Sequence, residues 1–202
     1  MFKELFPKKS KENIFWSWFS LNAENYYSFE HNQEQLFTQL KIQLEKIHPD
    51  IVFEFSPVLA DKTREFVISA DGIKSAFPAV IKLVEEAPLL KNWKVIAFRQ
   101  PRKNVSKINY RGLVINLDDV FFKYGKDSGK VALELHIRNF HESPEWTAGS
   151  FILLDNVIGE YHVETSLSSI LKKNLKEEDV INLFPIRDLP KVIYEYHLEL
   201  TN

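Results

Sequence analysis

No cysteine occurs in the 202 residues. That excludes disulfides, thiolate-ligated zinc, iron–sulfur clusters and a cysteine nucleophile. Glycine is scarce, at six residues, and none is arranged as a phosphate-cradling loop or a G-x-S-x-G elbow; H-E-x-x-H is also missing. No apolar run approaches the roughly 20 residues of a membrane span. The opening MFKELFPKKSKEN is interrupted by charge, unlike the apolar core of a secretory signal. Neither sign of charge dominates, with 26 basic and 28 acidic residues and a net charge of −2. A protein that holds nucleic acid by charge needs a basic excess or stripe. The six histidines (His31, His48, His136, His141, His162, His197) show no helical i, i+4 pairing of the kind that builds a zinc site. These absences predict a cytoplasmic protein with no nucleic-acid or membrane partner, no cofactor and no metal.

What is present is a large aromatic complement: sixteen Phe, seven Tyr and four Trp. Each ring buries roughly 150–250 Å², so a chain of this length can form a core without covalent staples. Residues 51–102 carry the clearest pattern. Phe53 and Phe55 alternate with Glu54 and Ser56; a turn follows, and then Phe66, Ile68 and Ala70 alternate again, as in a hairpin. Pro78 is tolerable only in a first helical turn, which favours Ser75 over Asp71 as the cap of the next helix. The apolar run WKVIAF (93–98) reads as a central strand.

Upstream, Ser10 is placed to cap a helix bearing FWSWF, and a second helix is predicted over 33–47 from the stripe Leu36, Phe37, Leu40, Leu44 and Ile47. Downstream, residues 108–117 read as one strand bent at Gly112. A second hairpin spans 120–138, with Val131, Leu133, Leu135 and Ile137 on one face. A helix follows, with Ser143 as N-cap, Pro144 in its first turn and Gly159 past its end. Residues 160–167 (EYHVETSL) alternate as a strand, and 171–179 read as a charged loop or short helix. Residues 190–200 fit either a helix capped by Asp188 or a strand.

The fold class expected is α+β: one domain over 1–202, with a mainly antiparallel sheet built from two β-β-α-β units. N-terminal helices (1–49) pack on it, the units occupy 50–103 and 118–168, and a tail element fills 170–202. The repeated order suggests a duplication with a groove between half-sheets.

Three groups invite chemistry. Glu134, His136 and Arg138 share one predicted strand face, and Glu160, His162 and Glu164 another. Adjacent strands would join them into a His–carboxylate cluster suited to acid–base work; the competing reading is the wet side of a sheet. Arg99, Arg102 and Arg111 suit phosphate or carboxylate recognition, against ordinary surface charge. Ser69–Gly72 offers backbone amides to an anion, against plain turn chemistry. Phe15, Trp16, Trp18 and Phe19 belong to another class: a docking surface for a protein partner or second copy, against a buried helix.

The run FWSWFSLNAENYYSFE, followed by LKIQLEKIHPDIVFEFSP, EFVISADGIKSAFPAV and NWKVIAFRQPR, resembles a group of uncharacterised bacterial cytosolic proteins. The resemblance covers most of the first half, with a weaker echo at VIGEYHVETSL, and implies one continuous domain but no activity. Two functions follow. One is a non-enzymatic interaction or regulatory module, of the immunity type. The alternative is a small-molecule or anion-binding enzyme using the His/Glu and Arg groups.

Overall fold

The structure, a computed structural model, describes residues 9–201. Residues 1–8, which carried part of the reading of the N-terminus, and Asn202 lie outside the described residues. The fold is α+β. The chain divides into two compact units, with the boundary between Phe98 and Arg99, and each unit contains one β-β-α-β arrangement with its own core.

In the first unit α1 (Lys11–Tyr27) starts where Ser10 predicts it. The Ser10 hydroxyl accepts from the Asn13 amide at 3.0 Å and donates to Glu86 at 2.7 Å, so the cap also ties α1 to the far end of α3. Helix α2 is Gln33–Glu45. Strand β1 (Val52–Phe55) pairs antiparallel with β2 (Arg64–Ser69). Helix α3 (Phe77–Glu85) then crosses to β3 (Trp93–Ala97), which lies parallel to β2. Pro78 falls in the first turn of α3, but a 3-10 turn over Lys74–Ala76 precedes it and Ala76, not Ser75, is the cap residue. The strand order β1-β2-β3 puts β2 in the centre and β3 outside it. This corrects the central place expected for β3: Phe66 and Ile68 of β2 are fully buried, whereas Val95, Ile96 and Ala97 of β3 are only half-buried.

The second unit opens with a hairpin, β4 (Lys107–Tyr110) and β5 (Leu113–Asn116), where one bent strand was expected. Arg111 and Gly112 both have positive φ, which is the two-residue turn that matches strand twist. Strands β6 (Val120–Asp127) and β7 (Lys130–Ile137) form the predicted second hairpin, turning at Ser128-Gly129. Helix α4 (Pro144–Ile158) has Ser143 as its cap, accepting from the Trp146 amide. Gly149 weakens a helix interior, and its presence has a cause. A Cβ there would meet Leu113 and Ile115 of β5 at 3.0 and 3.1 Å.

The largest departure from the sequence reading follows. Residues 160–167 do not form a strand. Helix α5 (Glu160–Ser166) occupies them, and its buried positions Glu160, Val163 and Ser166 recur at helical spacing. The strand of this unit is β8 (Leu167–Asn174), parallel to β7, and its second half falls in the segment 171–179 read as a charged loop or short helix. Strand β9 (Phe184–Pro185) adds to β6, giving the order β8-β7-β6-β9. β8 is therefore an outer strand, where lysines are the usual guard against further pairing, and its charge masked it. Helix α6 (Leu189–Thr201) settles the ambiguous tail, burying Leu189, Ile193 and Tyr196 on one stripe. The core of this unit lies between the β7 face (Val131, Leu133, Leu135, Ile137) and α4 and α6.

Candidate functional site

The site is assembled around the junction of α4 and α5. Gly159 sits there with φ 83° and ψ 147°, a conformation open essentially to glycine alone. It also lacks room for a side chain, since a Cβ would lie 3.0 Å from the Pro101 ring and 3.3 Å from the Arg99 carbonyl. The segment from Arg99 to Arg102 is clamped onto this junction by backbone bonds. The Glu160 amide donates to the Arg99 carbonyl at 3.0 Å, and the Arg102 amide donates to the Asn156 carbonyl at 2.8 Å. The buried Glu160 carboxylate accepts from the Arg99 amide at 3.2 Å, and the Arg99 guanidinium is 3.7 Å from Asp155. Arg99 and Glu160 thus hold against α5 the segment that carries Arg102.

Beside this clamp lies a cleft of about 580 Å³ wholly within the second unit. Its floor is apolar, formed by Leu117, Val157, Ile158 and Ile193, all buried. Arg102, Lys103, Arg187, His162 and His197 stand around it, and no carboxylate is among the lining residues. Arg187 is partly neutralised by Asp118 at 3.1 Å and holds the 101–105 loop through the Val105 carbonyl at 3.2 Å. Among the described residues Arg102 and Lys103 form no ion pair, and both are exposed at the cleft. The His162 ring is half-buried, with Nδ1 2.9 Å from the Ser166 hydroxyl and its centroid 5.7 Å from that of His197. Burial, and secondarily His197, hold the His162 pKa below its ordinary value, because both penalise the imidazolium.

Of the residues singled out from sequence, Arg102 and His162 meet in this cleft. Glu164, half-buried on α5, lines neither it nor the second hollow described below. Arg111 is remote, with its guanidinium over the Tyr110 ring. Sequence reasoning missed Lys103, Arg187 and His197, which lie in a polar loop, before α6 and on α6. The available signal was the basic content of 102–103 and 187, but nothing local brings three separate segments together.

His136 lies elsewhere. It is buried on the outer face of β7 and does not join His162, because its partner across β8 is Lys173 rather than Glu160 or Glu164. Its Nε2 is 2.8 Å from Glu134, which also meets Lys123 and Lys173 at 3.0 Å each. These four groups border a separate hollow of about 690 Å³. Burial raises the Glu134 pKa, but the bonds from Lys173, Lys123 and His136 outweigh it and leave the pKa at about 2. The Glu134 carboxylate is compensated: saturated by three donors, it has little basicity to offer.

The FWSWF run is also relocated. Phe15, Trp16 and Phe19 are in the core of the first unit, and Trp18 is half-buried against it. The Trp16 indole donates to the Leu83 carbonyl at 2.7 Å, and Phe19 stacks on Phe66 at 4.9 Å. Phe15, Trp16 and Phe19 are thereby withdrawn from the surface. Ser69–Gly72 is a turn, with Asp71 and Gly72 at positive φ and the Asp71 amide on the Ser69 hydroxyl.

Among the described residues no three His, Asp or Glu side chains are grouped to hold a metal ion, and no helix is long and apolar enough to cross a membrane. No protein-family model, curated protein or solved structure matches the chain.

Proposed function

We propose that the second unit binds a small organic anion, with an apolar body and a carboxylate, phosphate or sulfonate head, in the cleft beside α5. The observation that supports this is the lining itself: three permanent cations and two imidazoles around an apolar floor with no acid, in a chain whose net charge is −2. A cleft of this volume suits a drug-sized ligand. Guanidinium groups recognise oxyanions by paired, directional hydrogen bonds. The one hydroxyl paired with a cleft imidazole, that of Ser166 on His162, is itself buried and no carboxylate lines the cleft, so the reading taken is a binder rather than an enzyme. Phe15, Trp16 and Phe19, which suggested an interaction module, are buried in the first unit, and the anion reading rests on the cleft instead.

A suitable probe is the apolar sulfonate 1-anilinonaphthalene-8-sulfonate, compared with the neutral N-phenyl-1-naphthylamine. The double variant Arg102→Ala, Lys103→Ala is expected to weaken the sulfonate by about ten- to a hundredfold, the value of one to two charge-assisted hydrogen bonds. Binding of the neutral probe should change little. If both probes respond alike, or neither does, the cleft does not recognise anions.

A further inference from the structure

We propose that anion binding in this cleft takes up a proton on His162, so that the site captures its ligand in mildly acidic conditions and loosens it at higher pH. This rests on the anion-binding reading and adds how that site is regulated. The geometry supplies each requirement. The ring is half-buried in the wall of the cleft rather than on open surface. Its Nδ1 is engaged by the Ser166 hydroxyl, which leaves Nε2 as the atom able to carry a proton toward a ligand. The charged and titratable groups facing the cleft are Arg102 and Lys103 from the loop, Arg187 (with its partner Asp118) before α6, and Tyr194 and His197 from α6. On its own helix, Tyr161 meets the ring edge-on at 5.8 Å, and Glu160 is turned to the Arg99 amide.

Burial, and secondarily His197, favour the neutral imidazole, and no carboxylate lines the cleft to oppose them. An anion among the same groups reverses the balance, because an opposite charge within a few ångströms favours the protonated form. Linkage then requires that acid strengthen binding through the interval between the two proton affinities.

The test uses the full-length protein and the same sulfonate, whose charge is constant over the range. From about pH 8 to about pH 5.5 the dissociation constant should fall, by up to about tenfold per pH unit where one proton is taken up. In His162→Asn this slope should flatten, whatever the affinity at high pH. As a second measurement, the ring Cε1–H resonance of His162 in the wild type should titrate at a higher pH with saturating sulfonate than without. Binding that is lost in the Arg102/Lys103 variant but independent of pH, or a slope that survives in His162→Asn with an unmoved His162 resonance, would overturn the coupling while leaving the anion site standing. Sulfonate binding indifferent to Arg102 and Lys103 would instead remove the anion site, and the coupling with it.

Discussion

At the scale of single residues, burial of charge is the instructive feature. Glu134 faces three donors, and its pKa of about 2 lies well below the ordinary carboxylate value. A carboxyl more acidic in the folded than the unfolded chain contributes stability that is fully present above the unfolded pKa. That stability is lost as pH falls from about 4.5 toward 2. Glu134→Gln is therefore expected to cost about 1–3 kcal/mol at pH 7 and much less near pH 2.5, measured by urea unfolding at both. The loss stays moderate because Lys123 and Lys173 are about half exposed and can turn to water. An equal cost at both pH values would mean that packing, not charge, holds the cluster.

The aromatic run tells a similar story. Nothing within FWSWF separates a docking patch from a core helix. Burial of Trp16 and Phe19 is decided by the sheet beneath them, through Phe66 and Trp93.

At the scale of elements, the α4–α5 junction controls the candidate site. Gly159→Ala adds a methyl where Pro101 and the Arg99 carbonyl already press, at a positive φ and extended ψ that alanine resists. The expected cost is about 2–4 kcal/mol. Displacement of the 99–102 segment should also weaken sulfonate binding, although Gly159 itself does not line the cleft. Thermal unfolding and probe titration of the same variant check both. Unchanged binding in a destabilised protein would show that the clamp does not set the position of Arg102.

Element type was legible where caps and periodicity agreed, as with Ser10 ahead of α1 and Ser143, Pro144 and Gly159 around α4. It failed at 160–174. There EYHVETSL satisfies a two-residue alternation, and LSSILKKN carries too much charge to look like a strand. A seven-residue segment is too short for its period to discriminate. The parallel partner β7, distant in sequence, selects the strand.

At the scale of the whole molecule, each unit has a separate hydrophobic cluster, one centred on Phe19, Phe66 and Leu83, the other on Leu133, Leu135 and Leu154. A unit with its own core can fold alone. Residues 99–202 expressed by themselves should unfold in one cooperative step followed by Trp146, the single tryptophan of that unit, and should keep the sulfonate affinity of the full chain. A fragment without a cooperative transition would show that the second core depends on the first 98 residues.

The sequence by itself determined the α+β class, the β-β-α-β order of the first half, the caps of α1 and α4 and the apolar face of β7. These rest on local stereochemistry and on periods of two and 3.6 residues, which a linear chain displays openly. Only the tertiary structure decided that FWSWF is core, that His136 and His162 belong to different cavities, and that Arg102, Lys103, Arg187, His162 and His197 surround one cleft. Those juxtapositions depend on which strands pair and how chain segments far apart in sequence return to one helix junction. They arise from burial and steric fit between distant residues, which leave no periodic mark along the chain.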